Sequence, residues 1–318
     1  MAVIKYDNQH FSLAGGQSVL DGLLANGHNV PNACRAGACQ SCKLQATDGE
    51  IPIEAQQGLN SAEKQLGYFL SCQCYPTTDL NIATSALTQS HSVKVLEKTQ
   101  LSDDVVQLKL EAPIHFEAGQ FINLSVEVDG NARSYSIASL PSDGFIECHI
   151  KRIPGGVFSD FAFKTLQAGD TLRLQGPFGK CIYSCEDKSQ PMVLAGLGTG
   201  LAPLLGITRS ALAKGHNGPM HLIVGAKSTS GLYMTDKLRA LAEQYSNLQV
   251  TQIAQQGAVA PAISADIYQF CKQTYPSTQG FSLYLCGAQS FVTKLKKQSF
   301  LLGASMAQIH ADSFVACS

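Results

Sequence analysis

Cys34-Arg-Ala-Gly-Ala-Cys39-Gln-Ser-Cys42 sets three thiols within nine residues, and a fourth, Cys72, follows after 29 intervening residues. A C-x4-C-x2-C run answered by one distant cysteine is the ligation pattern of a 2Fe–2S cluster. Chemistry accounts for the spacing. Two irons bridged by two sulfides need two protein thiolates each, and a loop of small residues can wrap three of them round the cluster. Gly37 and the alanines beside it let backbone N–H groups approach the sulfurs. A zinc site would show paired C-x2-C knuckles or Cys/His pairs, and the x4 gap fits that poorly. Free cysteines are often buried as small hydrophobes, but three in one turn-like segment do not make a core. Cys34, Cys39, Cys42 and Cys72 are the expected metal ligands. Cys74, on the same expected strand Phe69–Cys74 and two residues on, would share a sheet face with Cys72 and rivals it for the fourth place.

At 318 residues the chain exceeds one ordinary core, so two or three domains are expected. A formal net charge of −1 offers no basic surface for nucleic acid or a membrane. Residues 1–90 hold four Lys/Arg against seven Asp/Glu, a net of −3, which leaves +2 for the remainder. That asymmetry suits a detachable acidic electron carrier. The first residues lack the basic, apolar, cleavable order of a secretory signal. The apolar run from Met192 to Ile207 is broken by four glycines and Pro203, so no membrane insertion is expected. Eleven cysteines then point to a reducing, cytoplasmic setting, with metal ligation rather than disulfides.

Residues 1–90 read as a compact α+β unit. Ala2–Tyr6 and Gln9–Leu13 form an expected hairpin, and Ser18 caps a helix through Asn26 with Val19, Leu20, Leu23 and Leu24 on one side. Lys43–Ala46 and Phe69–Cys74 are the further strands. With its Cys-Arg-x-Gly-x-Cys-x-x-Cys run, this unit resembles the plant-type ferredoxins, which implies a β-grasp domain in which Cys72 completes the family spacing.

After a Ser/Thr-rich linker at 84–90, short strands recur at hairpin intervals through about residue 187, as in an antiparallel β-barrel. Arg133-Ser-Tyr135-Ser136 lies on one of them, with Arg133 and Tyr135 on one face and Ser136 on the other. Lys151-Arg-Ile-Pro-Gly155-Gly156-Val157-Phe-Ser159 runs from a strand through two glycines into a helix, whose free N–H groups are an anion site. The combination reads as a flavin nucleotide site. Arg133 offers a fork for phosphate, Tyr135 a flat ring for the isoalloxazine, and Ser136 a hydrogen bond to flavin N5. These stretches resemble the signature of the ferredoxin–NADP reductase superfamily, Arg-x-Tyr-Ser followed by Gly-Gly-x-x-Ser. Gly119-Gln120-Phe121 and Gly176-Pro-Phe-Gly179 match its barrel as well. The resemblance implies FAD, since its FMN branch carries the iron–sulfur domain at the other end of the chain.

From 188 to 318 strands and helices alternate, implying a parallel-sheet nucleotide-binding domain. Gly196-Leu-Gly198-Thr199-Gly200-Leu-Ala-Pro203 follows a strand and opens a helix, so its N–H groups can reach a pyrophosphate. It resembles the Gly-x-Gly-Thr-Gly-x-Ala-Pro loop of the same superfamily. Cys286-Gly287 matches that family's Cys-Gly beside the nicotinamide, and Phe314 is placed to stack over the flavin, with a core-strand Phe as its plainer reading. After the third strand the chain reads Ile253-Ala-Gln-Gln-Gly257, where NADPH users of the family often carry an Arg. NADH is therefore expected, NADPH being the less favoured. Lys227-Ser228-Thr229 could hold a 2′-phosphate, and the Trp-x-Gly of NADH-using relatives is missing.

The resemblance implies an electron-transfer reductase with Ser136, Cys286 and Phe314 as catalytic positions. NADH would reduce FAD by two electrons, and the cluster would pass them singly to an electron-accepting partner protein. An oxygenase or hydroxylase component is the expected partner. The dehydratase of CDP-6-deoxyhexose synthesis and a non-enzymatic redox-sensing module are the alternatives. Membrane-complex dehydrogenases share the three domains but add an N-terminal anchor that is not seen here.

Overall fold

The computed structural model of the chain describes residues 2–6, 9–28, 30–32, 34–38, 40–59, 61–83, 90–126 and 132–314. Cys39, and the expected linker apart from Ser90, lie outside the described residues.

Three sheets follow one another. The first combines β1 (Val3–Tyr6), β2 (Gln9–Ser12), β3 (Lys43–Gly49), β4 (Tyr68–Leu70) and β5 (Leu80–Ala83) in the order β2-β1-β5-β3-β4. It grips α1 (Val19–Ala25), which buries Val19, Leu20 and Leu23. Ser18 starts that helix as expected, its hydroxyl accepting from the Asp21 N–H at 3.1 Å. The short α2 (Ser61–Gln65) precedes β4. One expectation fails here. The strand assigned to Phe69–Cys74 stops at Leu70, and Ser71–Gln73 form a single 3₁₀ turn. Cys72 and Cys74 therefore do not share a sheet face. The turn sends Cys72 toward Cys42 and Cys74 into the core around Leu20, Leu23 and Phe69.

The second sheet is antiparallel: β6 (Ser90–Gln100), β7 (Val105–Leu110), β8 (Phe121–Ser125), β9 (Arg133–Ser136), β10 (Ile146–Lys151) and β11 (Thr171–Phe178), ordered β10-β7-β6-β11-β8-β9. A bridge between Ile137 and Cys148 joins the end of β9 to β10 and closes the barrel. The helix α3 (Val157–Lys164) lies between β10 and β11 and turns Phe158 and Ala162 inward.

The third sheet is wholly parallel. Its strands are β12 (Met192–Leu197), β13 (Met220–Ser228), β14 (Leu248–Gln256), β15 (Ile263–Ser264), β16 (Ser282–Ala288) and β17 (Ile309–Phe314), in the order β15-β14-β13-β12-β16-β17. The helices α4 (Leu201–Ala213), α5 (Thr235–Gln244), α6 (Ile267–Thr274) and α7 (Gln289–Leu301) are interleaved with them. The chain leaves β12 toward β13 and later returns to pair β16 on the other side. The carboxyl end of β12 is thus a topological switch point, where open α/β sheets bind their ligands. Among the described residues no helix is long and apolar enough to cross a membrane.

Candidate functional site

One cavity of about 1230 Å³ runs along the seam between barrel and parallel sheet and reaches the cysteine loop. Single small-ligand pockets span about 300–1,000 Å³, so there is room for more than one ligand. All four residues of β9 border it, not only the Arg133–Tyr135 face. The strand ends the sheet order, and its last residue turns to the neighbouring domain. Arg133 Nη1 donates to the Ala132 carbonyl at 2.9 Å. The Tyr135 ring packs on Phe158, centroids 5.4 Å apart. Gly155, Gly156, Val157 and Ser159 line the cavity at the start of α3, which has no side-chain cap on its first N–H groups. Gly155 sits at φ +76°, and a Cβ on Gly156 would stand 2.6 Å from Ser159 Oγ. Ser159 itself is a brace, accepting from the Ile153 N–H at 3.1 Å and donating back to loop carbonyls. Lys151 also borders the cavity, paired with Asp104 at 3.1 Å.

On the nucleotide side Gly198 and Thr199 line the cavity, while Gly196, Gly200, Pro203, Cys286 and Gly287 do not. The two outer glycines serve close packing. A Cβ on Gly200 would fall 2.2 Å from the Cys286 carbonyl, and one on Gly196 would meet Leu204 at 2.7 Å. Gly287 lies at φ +141°, and Pro203 is buried in the first turn of α4. Cys286 is fully buried, its sulfur 3.9 Å from that of Cys181. Burial, aided by Cys181 and Asp312, pushes its thiol well up and keeps it neutral. Phe314 ends β17 half-buried and borders the cavity.

Sequence reasoning quoted Asp312 but gave it no role. It lines the cavity on β17, level with Cys286 on β16, and Ser136 Oγ donates to its carboxylate at 3.0 Å. Burial raises this carboxyl to about 6, with the Ser136 hydroxyl pulling the other way. An isolated acid two residues before Phe314, and so on the same strand face, was the available signal. His149 was missed too. It borders the cavity, with Nε2 2.9 Å from Glu147 and Nδ1 3.1 Å from the Tyr233 hydroxyl, linking β10 to the segment before α5. Asp266, which caps α6 by accepting from the Gln269 N–H, lines the far end with Gln255 and Lys227.

In the cysteine loop Arg35, Gly37 and Gln40 adopt positive φ of 51°, 75° and 55°. The chain coils tightly enough for the Ala36 N–H to donate to Cys34 Sγ at 3.4 Å. Cys42 and Cys72 are buried with sulfurs 3.2 Å apart. A hydrogen bond from Cys42 brings Cys72 down to about 7, against burial and helped by the Gly37 backbone. Cys74, desolvated in the core, rises to about 12. Donors from the Gly37 backbone and the Gln73 side chain reach the Cys72 sulfur, as a cluster ligand needs. Among the described residues, which omit Cys39, no three His, Cys, Asp or Glu side chains converge on one metal position.

Comparison with known proteins follows the same partition. Residues 4–77 match the 2Fe-2S iron-sulfur cluster binding domain family, 92–183 the oxidoreductase FAD-binding domain and 193–297 the oxidoreductase NAD-binding domain. The chain is 31% identical over 325 residues to a Ralstonia reductase component of naphthalene 1,2-dioxygenase/salicylate 5-hydroxylase systems, covering 98% of each. It is 33% identical over 321 residues to the reductase subunit of an Amycolatopsis aromatic O-demethylase, covering 95% of each. The crystal structure of an Amycolatopsis cytochrome P450 reductase superposes with a TM-score of 0.74 at 30% identity, covering 100% of both chains. This chain belongs to the ferredoxin–NADP reductase superfamily. It is an oxidoreductase with 2Fe–2S, FAD and NAD(P) domains, as the motifs led one to expect. The residues of this reductase fit those groups. Arg133 and the uncapped, glycine-lined start of α3 suit a flavin phosphate. Gly198 and Thr199 at the β12 switch point suit a pyrophosphate, and the Cys34, Cys42 and Cys72 sulfurs with their N–H donors suit the cluster.

Proposed function

We propose that the chain is the NADH-dependent reductase component of an oxygenase or hydroxylase system, delivering electrons to a separate partner protein. The observation that carries this is the continuity of the cavity, which touches the barrel at Tyr135, the parallel sheet at Thr199 and the cysteine loop at Cys34 and Ala38. When bound there, NADH supplies a two-electron hydride, FAD converts pairs to single electrons, and the cluster carries them one at a time. The chain's own part is positioning. Domains at 1–90, 91–187 and 188–318 divide the task. Tyr135 and Phe314 provide ring faces on opposite sides of the seam, Ser136 and Asp312 a polar pair between them, and the α3 and α4 entries hold phosphates. Cys286 acts here as the packed wall behind Asp312. Cys39 completes the ligand set of Cys34, Cys42 and Cys72.

NADH is favoured over NADPH by the carboxylate of Asp266 and the neutral Gln255 at the far end of the cavity, where a 2′-phosphate would need cations beyond Lys227. A cytoplasmic setting suits a chain whose described cysteines are all free thiols. The test is anaerobic mixing of the reconstituted protein with NADH or NADPH, then with candidate terminal oxygenases. Flavin and cluster should both bleach with NADH, at a far lower KM than with NADPH, and oxidation by the partner should restore both. A protein binding none of the three groups would exclude this function.

A further inference from the structure

Two motifs that resemble the family barrel, Gly119-Gln120-Phe121 and Gly176-Pro-Phe-Gly179, have no part in the cavity chemistry beyond Phe121. The structure brings them together. The pairing of β11 with β8 slips between Gln175 and Phe178, so that Phe178 lies opposite Phe121. Their rings pack 5.6 Å apart as a cluster separate from the barrel core, and Cys34 is the residue seated against it. Glycines permit the arrangement. Gly176 has φ +137°, and a Cβ on Gly179, at φ +90°, would press within 2.9 Å of the Phe121 ring. Just beyond, Lys180 Nζ stands 3.8 Å from Glu63 Oε2, while Lys43 holds the other oxygen of Glu63 at 2.8 Å. Glu63 is thus aimed from within the ferredoxin domain at a cation of the barrel.

Resting on the function proposed above, we propose that the Phe121–Phe178 pair is the seat that fixes the cluster loop at the flavin end of the cavity, with Glu63–Lys180 as its charged guide. The pair stands between the two sites, since Phe121 borders the cavity and Cys34 lies on the ring cluster. Electron passage falls steeply with distance, so the tightness of this seat governs transfer to the cluster and leaves NADH capture untouched. Lys180 is 60% exposed, so its bond is weak and salt-sensitive. The guide steers the domain into place, and the rings hold it there. Phe178 and Lys180 are positioning residues.

The test uses the FAD- and cluster-loaded protein in single-turnover anaerobic mixing with NADH, following flavin and cluster bleaching separately. Lys180→Glu should leave flavin reduction unchanged and slow cluster reduction severalfold at low salt. Added salt should speed the variant by screening its repulsion from Glu63 and slow the unaltered protein. Phe178→Ala should slow cluster reduction by about tenfold or more. Without any turnover, hydrogen exchange at 34–38 and 176–180 should rise in Lys180→Glu. A zero-length carbodiimide cross-link should join Glu63 to Lys180 in the unaltered protein. Unchanged cluster reduction and unchanged exchange in Lys180→Glu would overturn the seat, even if Phe178→Ala failed to fold. Should NADH not reduce the flavin at all, the function proposed above fails, while exchange and cross-linking still decide the seat.

Discussion

Asp312 is a half-buried carboxyl at the meeting of barrel and sheet with the Ser136 hydroxyl as its donor. Its folded value of about 6 lies above the ordinary 3.8. Below about pH 4 it is protonated in folded and unfolded chain alike and takes no side. Between roughly pH 4 and 6 only the folded chain keeps the proton, so stability falls as pH rises through that window, and above it the cost of a buried charge is constant. Asp312→Asn should therefore be the more stable protein above pH 6, by something on the order of 2 kcal/mol, with the gap closing toward pH 4. Chemical unfolding across that range checks the sign. The two neighbouring thiols of the 3₁₀ turn divide just as sharply. Cys72→Ser should lose iron and the cluster's visible absorption, leaving the flavin bands. Cys74→Ser should keep both and lose about 1–3 kcal/mol for a hydroxyl buried among Leu20, Leu23 and Phe69. At the far end of the cavity, Asp266→Asn preserves the α6 cap but removes the charge. The ratio of NADPH to NADH kcat/KM should rise severalfold with little change in Tm.

The turn between β12 and α4 shows how an element carries a site. Gly200 is an ordinary helical residue by backbone angle, at φ −57°, yet it cannot bear a side chain, since the obstruction is the Cys286 carbonyl rather than a flexible side chain. Gly200→Ala must push β16 and the turn apart. NADH affinity and Tm should both fall, whereas Gly198→Ala meets no protein atom and should cost only the αL strain of φ +55°, about 1 kcal/mol of stability. Thermal unfolding of the two variants separates them. That contrast also explains what was legible in the sequence. The three sheets, the cysteine loop and the two glycine-rich entries could be read because their chemistry is local, set by spacing within a dozen residues. Gly200 was read as a phosphate cradle because its constraint comes from a strand 86 residues away. The end of β4 was misplaced because Phe69–Cys74 alternates like a strand, while Cys72 is turned by its contact with Cys42. Asp312 stayed silent because its partner, Ser136, lies 176 residues earlier.

Across the whole molecule the barrel and the nucleotide sheet are joined far more firmly than either is to the ferredoxin domain. The helix α4 is the joint. Its Gly206 comes so close to the barrel that a Cβ would stand 3.0 Å from the Ile137 carbonyl. Three residues on, Arg209 grips Asp143 with two hydrogen bonds of 2.7 and 2.8 Å. The same helix begins at the glycine turn after β12, so one rigid rod connects that end of the cavity to the segment between β9 and β10. Burial works to raise the Asp143 carboxyl, but the hydrogen bonds from Arg209 and the Leu140 N–H outweigh it and hold it below the ordinary carboxylate range. A depressed folded value stabilises the protein above that range and ceases to do so as pH falls through it. Arg209→Met keeps the length of the side chain and removes the fork. It should cost about 1–3 kcal/mol at pH 7, and the deficit should shrink in acid, opposite in slope to the Asp312 effect. NADH would bind mainly to the sheet, so its Kd should move little. The flavin would sit on the barrel, across the loosened joint, so the rate of its reduction should fall more than affinity does. Equal losses in Kd and rate would mean that α4 holds the nucleotide and does not register the two domains.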